Sequence, residues 1–491
     1  MTGRRVLALL FLLYFATRLV GLARLPMFLD ESWHLSWSMW IAEGLEWEVP
    51  WQYGKGLSVF ANALLFPWAA PQYLAAGRGV TVLFGALTLA GVFKTASALF
   101  DRETASVAAL FQIFCPYALF YDRLVLTDPV QSAFATLALW LSVRVAQHGR
   151  TRDVLGLVVA LALSVFAKAL GLLAFLLPAL AWLLIGGARK DRLRPIALAY
   201  AGGIGIVGYP LFRFFSETST VRAAIDKSEA GPLGRALDNA PLAWEWISSY
   251  WTLPLLTLAG LALVAALLKR ERPALFLGGA ILLPLGAFLA ISTLWFPRYL
   301  VFLTPPLAIL AAHGLVAAAR RLSLSGTLRA AAVGIALVPA ARFDSALWTA
   351  PEQAPFAAVE RFQFVNGWPS GYGVRDTLAF FRDEVSRSKG GVRVVLHSGS
   401  RRTLTFALSV AFRYEGWLVV EDLRLDDPAT PGTLLGWARE RPTFVVVPMP
   451  HKGQRPGLGA WSPGARLVLE TRKPDGTLCD QIYALCPGGC P

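Results

Sequence analysis

A short stretch after the first apolar segment, FLDESWH, places two acids, Asp30 and Glu31, side by side. Three further ionisable residues stand at the ends of apolar segments: Asp128 in LTDPV, Lys168 in FAKALGLL and Arg298 in FPRYL. An ionisable side chain beside a lipid bilayer costs free energy and therefore marks a candidate functional site. Carboxylates accept protons and cations stabilise a departing anion, so this set fits a reaction that removes a proton and releases an anion.

Each of these residues also has a purely structural interpretation. Asp30 could cap a helix that begins at Glu31, and Glu31 would be favoured at the positive end of that helix dipole. Asp128 precedes a proline, which is typical of an ordinary helix start. Lys168 could extend its ammonium to the membrane surface, and Arg298 could simply mark the start of a helix. The residue types alone leave both interpretations open.

Composition indicates a polytopic α-helical membrane protein. Hydrophobic residues make up 55% of the 491, charged residues 16%, and the mean hydropathy is +0.52, which excludes a water-soluble fold for most of the chain. A helix that crosses a bilayer needs roughly 20 apolar residues. By this criterion we predict about eleven transmembrane helices. They lie at approximately 6–22, 78–99, 104–120, 129–146, 154–167, 169–186, 196–214, 252–268, 274–292, 300–318 and 328–343.

Basic residues in alternate short loops predict the orientation. Under the positive-inside rule they place the N-terminus in the cytoplasm, and an odd number of helices places the C-terminus outside. The first run has no small-residue cleavage site, so we expect it to be retained as a helix. The formal net charge of +14 is then an orientation signal that also suits anionic lipids, and no nucleic-acid motif accompanies it. The loop cations are Arg4, Arg5, Arg102, Arg144, Arg150, Arg152, Arg189, Lys190, Arg192, Arg194, Lys269, Arg270, Arg272, Arg320, Arg321 and Arg329.

The chain divides into a membrane domain, 1–343, and a soluble tail, 344–491. The membrane domain contains a long extracytoplasmic loop at about 23–77, where tryptophans at steps of three and four predict a helix lying in the membrane interface. A second apolar piece in this loop, GLSVFANALLFPWAA, is too short to span comfortably.

The tail has the pattern of one small α/β domain. VRDTLAFFRDEV and GTLLGWARER have helical spacing, and GVRVVLHSG and PTFVVVPMP are short β-branched strands bounded by turn residues. Alternating strands and helices predict a partly parallel sheet.

Three of the four cysteines, Cys479, Cys486 and Cys490, lie close together at the end of the tail. In an oxidising compartment they predict one small disulfide and one remaining thiol. Zinc is the alternative, but no fourth Cys or His lies at ligand spacing, so we predict no metal here. Cys115, within an apolar run, is expected to be an ordinary buried thiol.

The motifs resemble, in their order along the chain, those of GT-C membrane glycosyltransferases, particularly the glycosyltransferase family 39-like relatives of protein O-mannosyltransferase and aminoarabinose transferase. FLDESWH resembles the acidic start of that family's first extracytoplasmic loop. The segment from RGVTVLF to YDRLVLTDP resembles its second and third helices and the acid that begins the fourth. FAKALGLL resembles its Lys-Gly stretch, and FPRYLVFLTPPLAIL its late Arg-Tyr helix. The similarity covers about 1–320.

The resemblance implies a GT-C fold in a bacterial inner membrane and an inverting glycosyltransferase. The donor would be a sugar on polyprenyl phosphate, and the acceptor a hydroxyl of an envelope lipid, a glycan or a protein outside the cytoplasm. Lys168 and Arg298 would stabilise the departing phosphate, with Lys55 of QYGKG as a third phosphate-binding candidate. No metal and no cofactor is expected.

The acids would act on the acceptor. Asp30 is the predicted base that takes the proton of the acceptor hydroxyl, and Glu31 or Asp128 would orient the acceptor or share that proton. The alternative is a transporter or flippase of lipid-linked sugars, which would explain the helices and the cations but not the paired acids or the tail. The sugar and the acceptor are not defined by these motifs.

Overall fold

The structure is a computed structural model. It falls into two compact units, here called the helical unit and the sheet unit. The helical unit comprises Met1–Leu22, Gly44–Leu65 and Ala75–Ala357, and the sheet unit comprises Ala23–Glu43, Phe66–Leu74 and Ala358–Pro491. The residues that the structure describes are 3–45, 48, 54–69, 72–217, 231–293, 296–388, 391–397, 402–412, 418–423, 430–448 and 464–486.

The helical unit contains α1 and the helices from α3 to α15, whereas α2 (Leu29–Ala42) belongs to the sheet unit. Among the described residues this unit also contains three short 3₁₀ helices, which are helix A (Ala169–Phe175), helix B (Pro297–Leu303) and Pro351–Gln353. Its α-helices are α1 (Gly3–Leu19), α3 (Gly56–Leu65), α4 (Tyr73–Leu99), α5 (Arg102–Ile113), α6 (Pro116–Tyr121), α7 (Thr127–His148), α8 (Thr151–Ala167), α9 (Leu176–Leu184), α10 (Lys190–Glu217), α11 (Pro232–Trp251), α12 (Leu253–Lys269), α13 (Arg272–Ile291), α14 (Thr304–Arg321) and α15 (Gly326–Thr349).

The chain is a multi-pass helical membrane protein. Among the described residues, 5 helices are long and apolar enough to cross a membrane, or up to 6 if α11 and α12, bent by 112°, form one span. Every predicted segment is largely helical, but several are shorter than the sequence indicates. Pro116 ends the predicted helix 104–120 early, and the chain breaks at Lys168 into α8, helix A and α9. The expected domain boundary after residue 343 falls inside α15.

The sheet unit contains a mixed five-stranded sheet of order β2-β1-β3-β5-β4. β1 pairs in parallel with β2 and β3, and β5 pairs antiparallel with β3 and β4. The two predicted strands are β1 and β3, and a core of Val395, Val445 and Leu434 packs between sheet and helix. The elements are α16 (Ala358–Arg361), a π-helix (Phe362–Asn366), α17 (Val374–Arg387), β1 (Val392–His397), α18 (Arg402–Phe412), β2 (Leu418–Leu423), α19 (Thr430–Glu440), β3 (Thr443–Pro448), β4 (Ala465–Arg472) and β5 (Leu478–Leu485).

The tryptophan face of α2 packs in part on protein, and the placement of this helix in the membrane interface stays a prediction. The ring of Trp33 lies 4.7 Å from that of Phe406 in α18, and Trp40 contacts the same ring at 6.2 Å. Trp37 is only 3% exposed. The apolar face of α18 supplies a partner for this aromatic stripe, which sequence periodicity cannot distinguish from a lipid surface.

Candidate active site

Four of the six predicted site residues come together in the helical unit, where they form what we call the cation cluster: Lys55, Asp128, Lys168 and Arg298. The Lys168 ammonium donates to Oδ1 of Asp128 at 2.5 Å and lies 3.6 Å from the ring centroid of Tyr299. The Arg298 guanidinium lies 5.3 Å from the same ring. Arg298 and Lys55 are both close enough to repel the Lys168 ammonium. The cluster therefore places three cations near one another, and Asp128 pairs directly with Lys168.

Each member of the cluster stands at or next to the start of a helical segment. Lys55 directly precedes α3, and Asp128 lies in the first turn of α7. Lys168 immediately precedes helix A, and Arg298 is the second residue of helix B. Helix starts carry unsatisfied N–H groups and a partial positive charge. Together with the excess of cations, this environment suits a doubly charged anion such as a phosphate.

The cluster is buried, which argues against the surface interpretation of Lys168. The side chains of Lys168 and Asp128 are 14% and 5% exposed, and Arg298 is 6% exposed. Burying charges costs free energy unless they are paired and hydrogen-bonded. Lys168 meets that requirement through Asp128 and the Tyr299 ring, and not by reaching a headgroup.

A narrow apolar crevice of about 30 Å³ begins next to the cluster. Gln131 lines it three residues after Asp128, Leu173 lines it from helix A, and Phe302 lines it from helix B. Apolar side chains therefore follow the charged residues along α7, helix A and helix B. Such a surface suits the hydrocarbon part of an amphiphilic ligand whose charged end is at the cluster.

Two contacts position the cations. The Tyr117 hydroxyl donates to the carbonyl of Pro297, the residue before Arg298, and Tyr117 is 1% exposed. Gly171 N–H donates to the Lys168 carbonyl at 2.8 Å. A Cβ on Gly171 would lie 2.2 Å from the Ser164 carbonyl oxygen, so a side chain there would strike backbone.

Replacing Gly171 with alanine is expected to lower the thermal unfolding midpoint, because overpacking against rigid backbone costs about 1–3 kcal/mol. The matched control is Gly260→Ala in α12, where a Cβ would meet nothing within 4 Å. The midpoints of both variants in detergent solution provide the comparison. Equal midpoints would show that the turn after Lys168 tolerates a side chain.

The two paired acids lie in the sheet unit and have different local roles. α2 begins at Leu29, with Phe28 as its N-cap residue, so Asp30 is not the capping residue and the predicted helix start at Glu31 was two residues late. Glu31 is fully buried and its Oε2 accepts from the Phe28 N–H at 3.0 Å, which satisfies the backbone donor at the N-cap. Asp30 is half-buried in the same first turn.

Contacts within the sheet unit fix the start of α2. The Phe28 ring lies 4.4 Å from that of Phe364, and Leu29 N–H donates to the Pro369 carbonyl at 3.1 Å. A Cβ on Gly371 would come within 2.0 Å of the Met27 carbonyl oxygen, so the two backbones approach as closely as glycine allows. Asp30 is therefore held on a packed element and not on a free loop.

The cysteines agree in part with their predicted roles. Cys479 is a buried free thiol and Cys486 is disulfide-bonded, whereas Cys490 lies outside the described residues. Cys115 is a buried free thiol, as expected. Within the described ranges no three His, Cys, Asp or Glu side chains are grouped as metal ligands, and the absence of a metal stays a prediction.

Comparisons with known proteins give both a family match and a fold. Residues 73–210, which include Asp128 and Lys168, match the family model described as dolichyl-phosphate-mannose-protein mannosyltransferase. No curated protein matches the sequence. Apo ArnT from Cupriavidus metallidurans superposes with a TM-score of 0.63 at 15% identity, over 99% of this chain and 98% of that one. The chain has the fold of ArnT.

Further GT-C structures support this result. ArnT from the same organism bound to undecaprenyl phosphate gives a TM-score of 0.62 at 13% identity, covering 98% of this chain and 97% of that one. The oligosaccharyltransferase of Archaeoglobus fulgidus gives 0.52 at 12% identity, with 98% and 74% coverage. The predicted resemblance to GT-C enzymes of the family 39-like group is confirmed, and identities this low establish the fold alone.

Proposed function

We propose that the protein is an integral-membrane inverting glycosyltransferase that moves a sugar from a polyprenyl-phosphate donor to an acceptor hydroxyl. The observation that carries this proposal is the buried cation cluster in a chain of GT-C fold. Support also comes from the family match across Asp128 and Lys168 and from the ArnT structure that contains undecaprenyl phosphate. The acceptor is an envelope lipid, a glycan or a protein outside the cytoplasm.

The cluster acts on the donor phosphate. As the bond between the anomeric carbon and the phosphate oxygen breaks, its electron pair goes to that oxygen and negative charge develops. Lys168 meets this charge as a point charge and Arg298 as a planar fork, with Lys55 as the third cation. The donor leaves as polyprenyl monophosphate.

The acid acts on the acceptor. The acceptor oxygen forms the new bond to the anomeric carbon from the face opposite the phosphate, and its proton passes to the Asp30 carboxylate. A single displacement of this kind inverts the anomeric centre and needs no covalent enzyme intermediate. Glu31 orients the acceptor side of the site through its capping bond at the start of α2, and Asp128 holds Lys168.

The proposal also includes how the donor and the protein lie in the membrane. The first part of the prenyl tail lies along apolar side chains near the cluster, such as Leu173 and Phe302, and the rest of the tail lies in the bilayer. About eleven crossings, the number predicted from the sequence, would include helices shorter than the roughly 20 residues of a full span, such as α1 and α8. The N-terminus is cytoplasmic, and the sheet unit lies outside a bacterial plasma membrane.

The phosphate site predicts selective binding of the lipid product. Undecaprenyl phosphate is expected to raise the thermal midpoint of the wild type, whereas undecaprenol, which lacks the phosphate, is not. In Arg298→Gln the affinity for undecaprenyl phosphate should fall about 10- to 100-fold, because hydrogen bonds to charged groups contribute about 1.5–3 kcal/mol. The matched control is Arg342→Gln, which removes an exposed arginine of α15. Equal stabilisation by both lipids would refute a phosphate site.

A further inference from the structure

A cavity of about 240 Å³ that the proposed reaction does not use lies between α5, α14 and α15. It is far from the cation cluster along the membrane normal. Arg298 and Arg320 stand at opposite ends of the span Pro297–Arg321, and the cavity is at the Arg320 end. A ligand in this cavity would therefore occupy the other leaflet from the donor phosphate.

A network of ion pairs joins α5, α14 and α15 at the open end of this cavity, which we call its mouth. Glu103 of α5 accepts from Arg320 of α14 at 2.6 Å and from Arg329 of α15 at 2.9 Å, and Arg320 also pairs with Asp101 at 2.7 Å. These bonds fix the ends of three helices relative to one another. They favour the separation of α15 from α5 and α14 that leaves this space.

The walls of the cavity are apolar beyond this network. Val107 and Leu110 of α5, Leu315 of α14 and Val333 of α15 line it. A dry apolar cavity of about 150 Å³ holds a benzene molecule, so this one accommodates a segment of hydrocarbon chain. Left empty, its walls would lose dispersion contacts, and lipid chains are the hydrocarbon that a membrane provides.

The charged residues at the open end of the cavity indicate which lipid headgroup binds there. Arg102 lies between Asp101 and Glu103 in the sequence, Arg321 follows the ion-paired Arg320, and both are exposed at this end of their helices. The mouth therefore carries two more cations than the acids Asp101 and Glu103 neutralise. We propose that the cavity binds one acyl chain of an anionic phospholipid, whose phosphodiester is held by Arg321 and Arg102. This inference depends on the membrane location and not on glycosyl transfer.

Filling the cavity tests the acyl-chain part of the proposal. The experiment is native mass spectrometry of the full-length protein after exchange into mixed phosphatidylglycerol and phosphatidylcholine micelles. Ala330 lines the cavity, so Ala330→Phe should fill it and lose the bound phosphatidylglycerol. Ala331 is an exposed position of α15 outside the cavity, so Ala331→Phe, like the wild type, should retain one phosphatidylglycerol. Retention by Ala330→Phe, or loss from both variants, would overturn the assignment.

Removing a headgroup contact tests the charge part. Arg321→Gln should weaken phosphatidylglycerol binding about five-fold, the effect of one basic side chain near a charged headgroup. The matched control Arg270→Gln removes an exposed arginine at the end of α12, with the same change in net charge, and should leave the affinity unchanged. Equal weakening in both variants would identify a non-specific lipid annulus, and equal affinity for phosphatidylcholine would exclude headgroup selection.

Discussion

Replacing Asp30 with asparagine is expected to reduce donor turnover by about 10²- to 10⁴-fold, the usual contribution of a general base. The amide keeps the size of the carboxyl group but cannot accept the acceptor proton. Asp30 is half-buried in the first turn of α2 and does not provide the N-cap, so the fold should persist. Turnover is measured as polyprenyl phosphate released in proteoliposomes, and folding as the thermal midpoint.

The control for Asp30→Asn is Asp376→Asn. Asp376 is an exposed acid in the first turn of α17, in the same unit, so both variants lose one favourable interaction with a helix dipole. Only the Asp30 variant should lose turnover. If both variants turn over donor at the wild-type rate, Asp30 is not the base.

Replacing Lys168 with methionine is expected to have two separable effects. Turnover should fall by about 10²- to 10³-fold, because a group that stabilises the developing phosphate charge is lost. Stability should also fall, because breaking a buried ion pair leaves the Asp128 carboxylate uncompensated at a cost of about 3–5 kcal/mol. The loss of turnover measures the role of Lys168 in catalysis, and the loss of stability measures its role in the fold.

A second substitution separates these effects. Adding Asp128→Asn to Lys168→Met removes the uncompensated charge, so the thermal midpoint should return towards the wild-type value while turnover stays low. Thermal unfolding and donor turnover on the same preparations give both readings. If the double variant regains turnover together with stability, Lys168 serves only as a counter-ion for Asp128 and the phosphate role is wrong.

The sequence was most informative where burial makes a residue type costly. Asp128, Lys168 and Arg298 stand out because charges beside apolar segments need partners, and the structure does bring them together with Lys55. Tyr299 was missed, although its position next to Arg298 offered a signal. Tyr117 gave no local signal, because its bond to the Pro297 carbonyl joins residues 180 positions apart.

Sequence reasoning failed where tertiary contacts decide the outcome. The tryptophans of α2 fit the pattern of an interfacial helix, and that pattern did not reveal that Trp33 and Trp40 also contact α18. The start of α2 was assigned two residues late because Phe28, a poor capping side chain, is stabilised by Glu31 and by Phe364. β4 and β5 were not predicted, since their pairing with β3 depends on antiparallel partners along the sheet edge.

The measurement that tests the central claim most directly is donor turnover in proteoliposomes supplied with a panel of polyprenyl-phosphate sugars and an envelope extract as acceptor. The account predicts that the wild type and Asp376→Asn convert one donor to polyprenyl monophosphate and an inverted glycoside, and that Asp30→Asn does not. Movement of an intact donor between leaflets, with no polyprenyl monophosphate released from any member of the panel, would contradict a glycosyltransferase and identify a transporter.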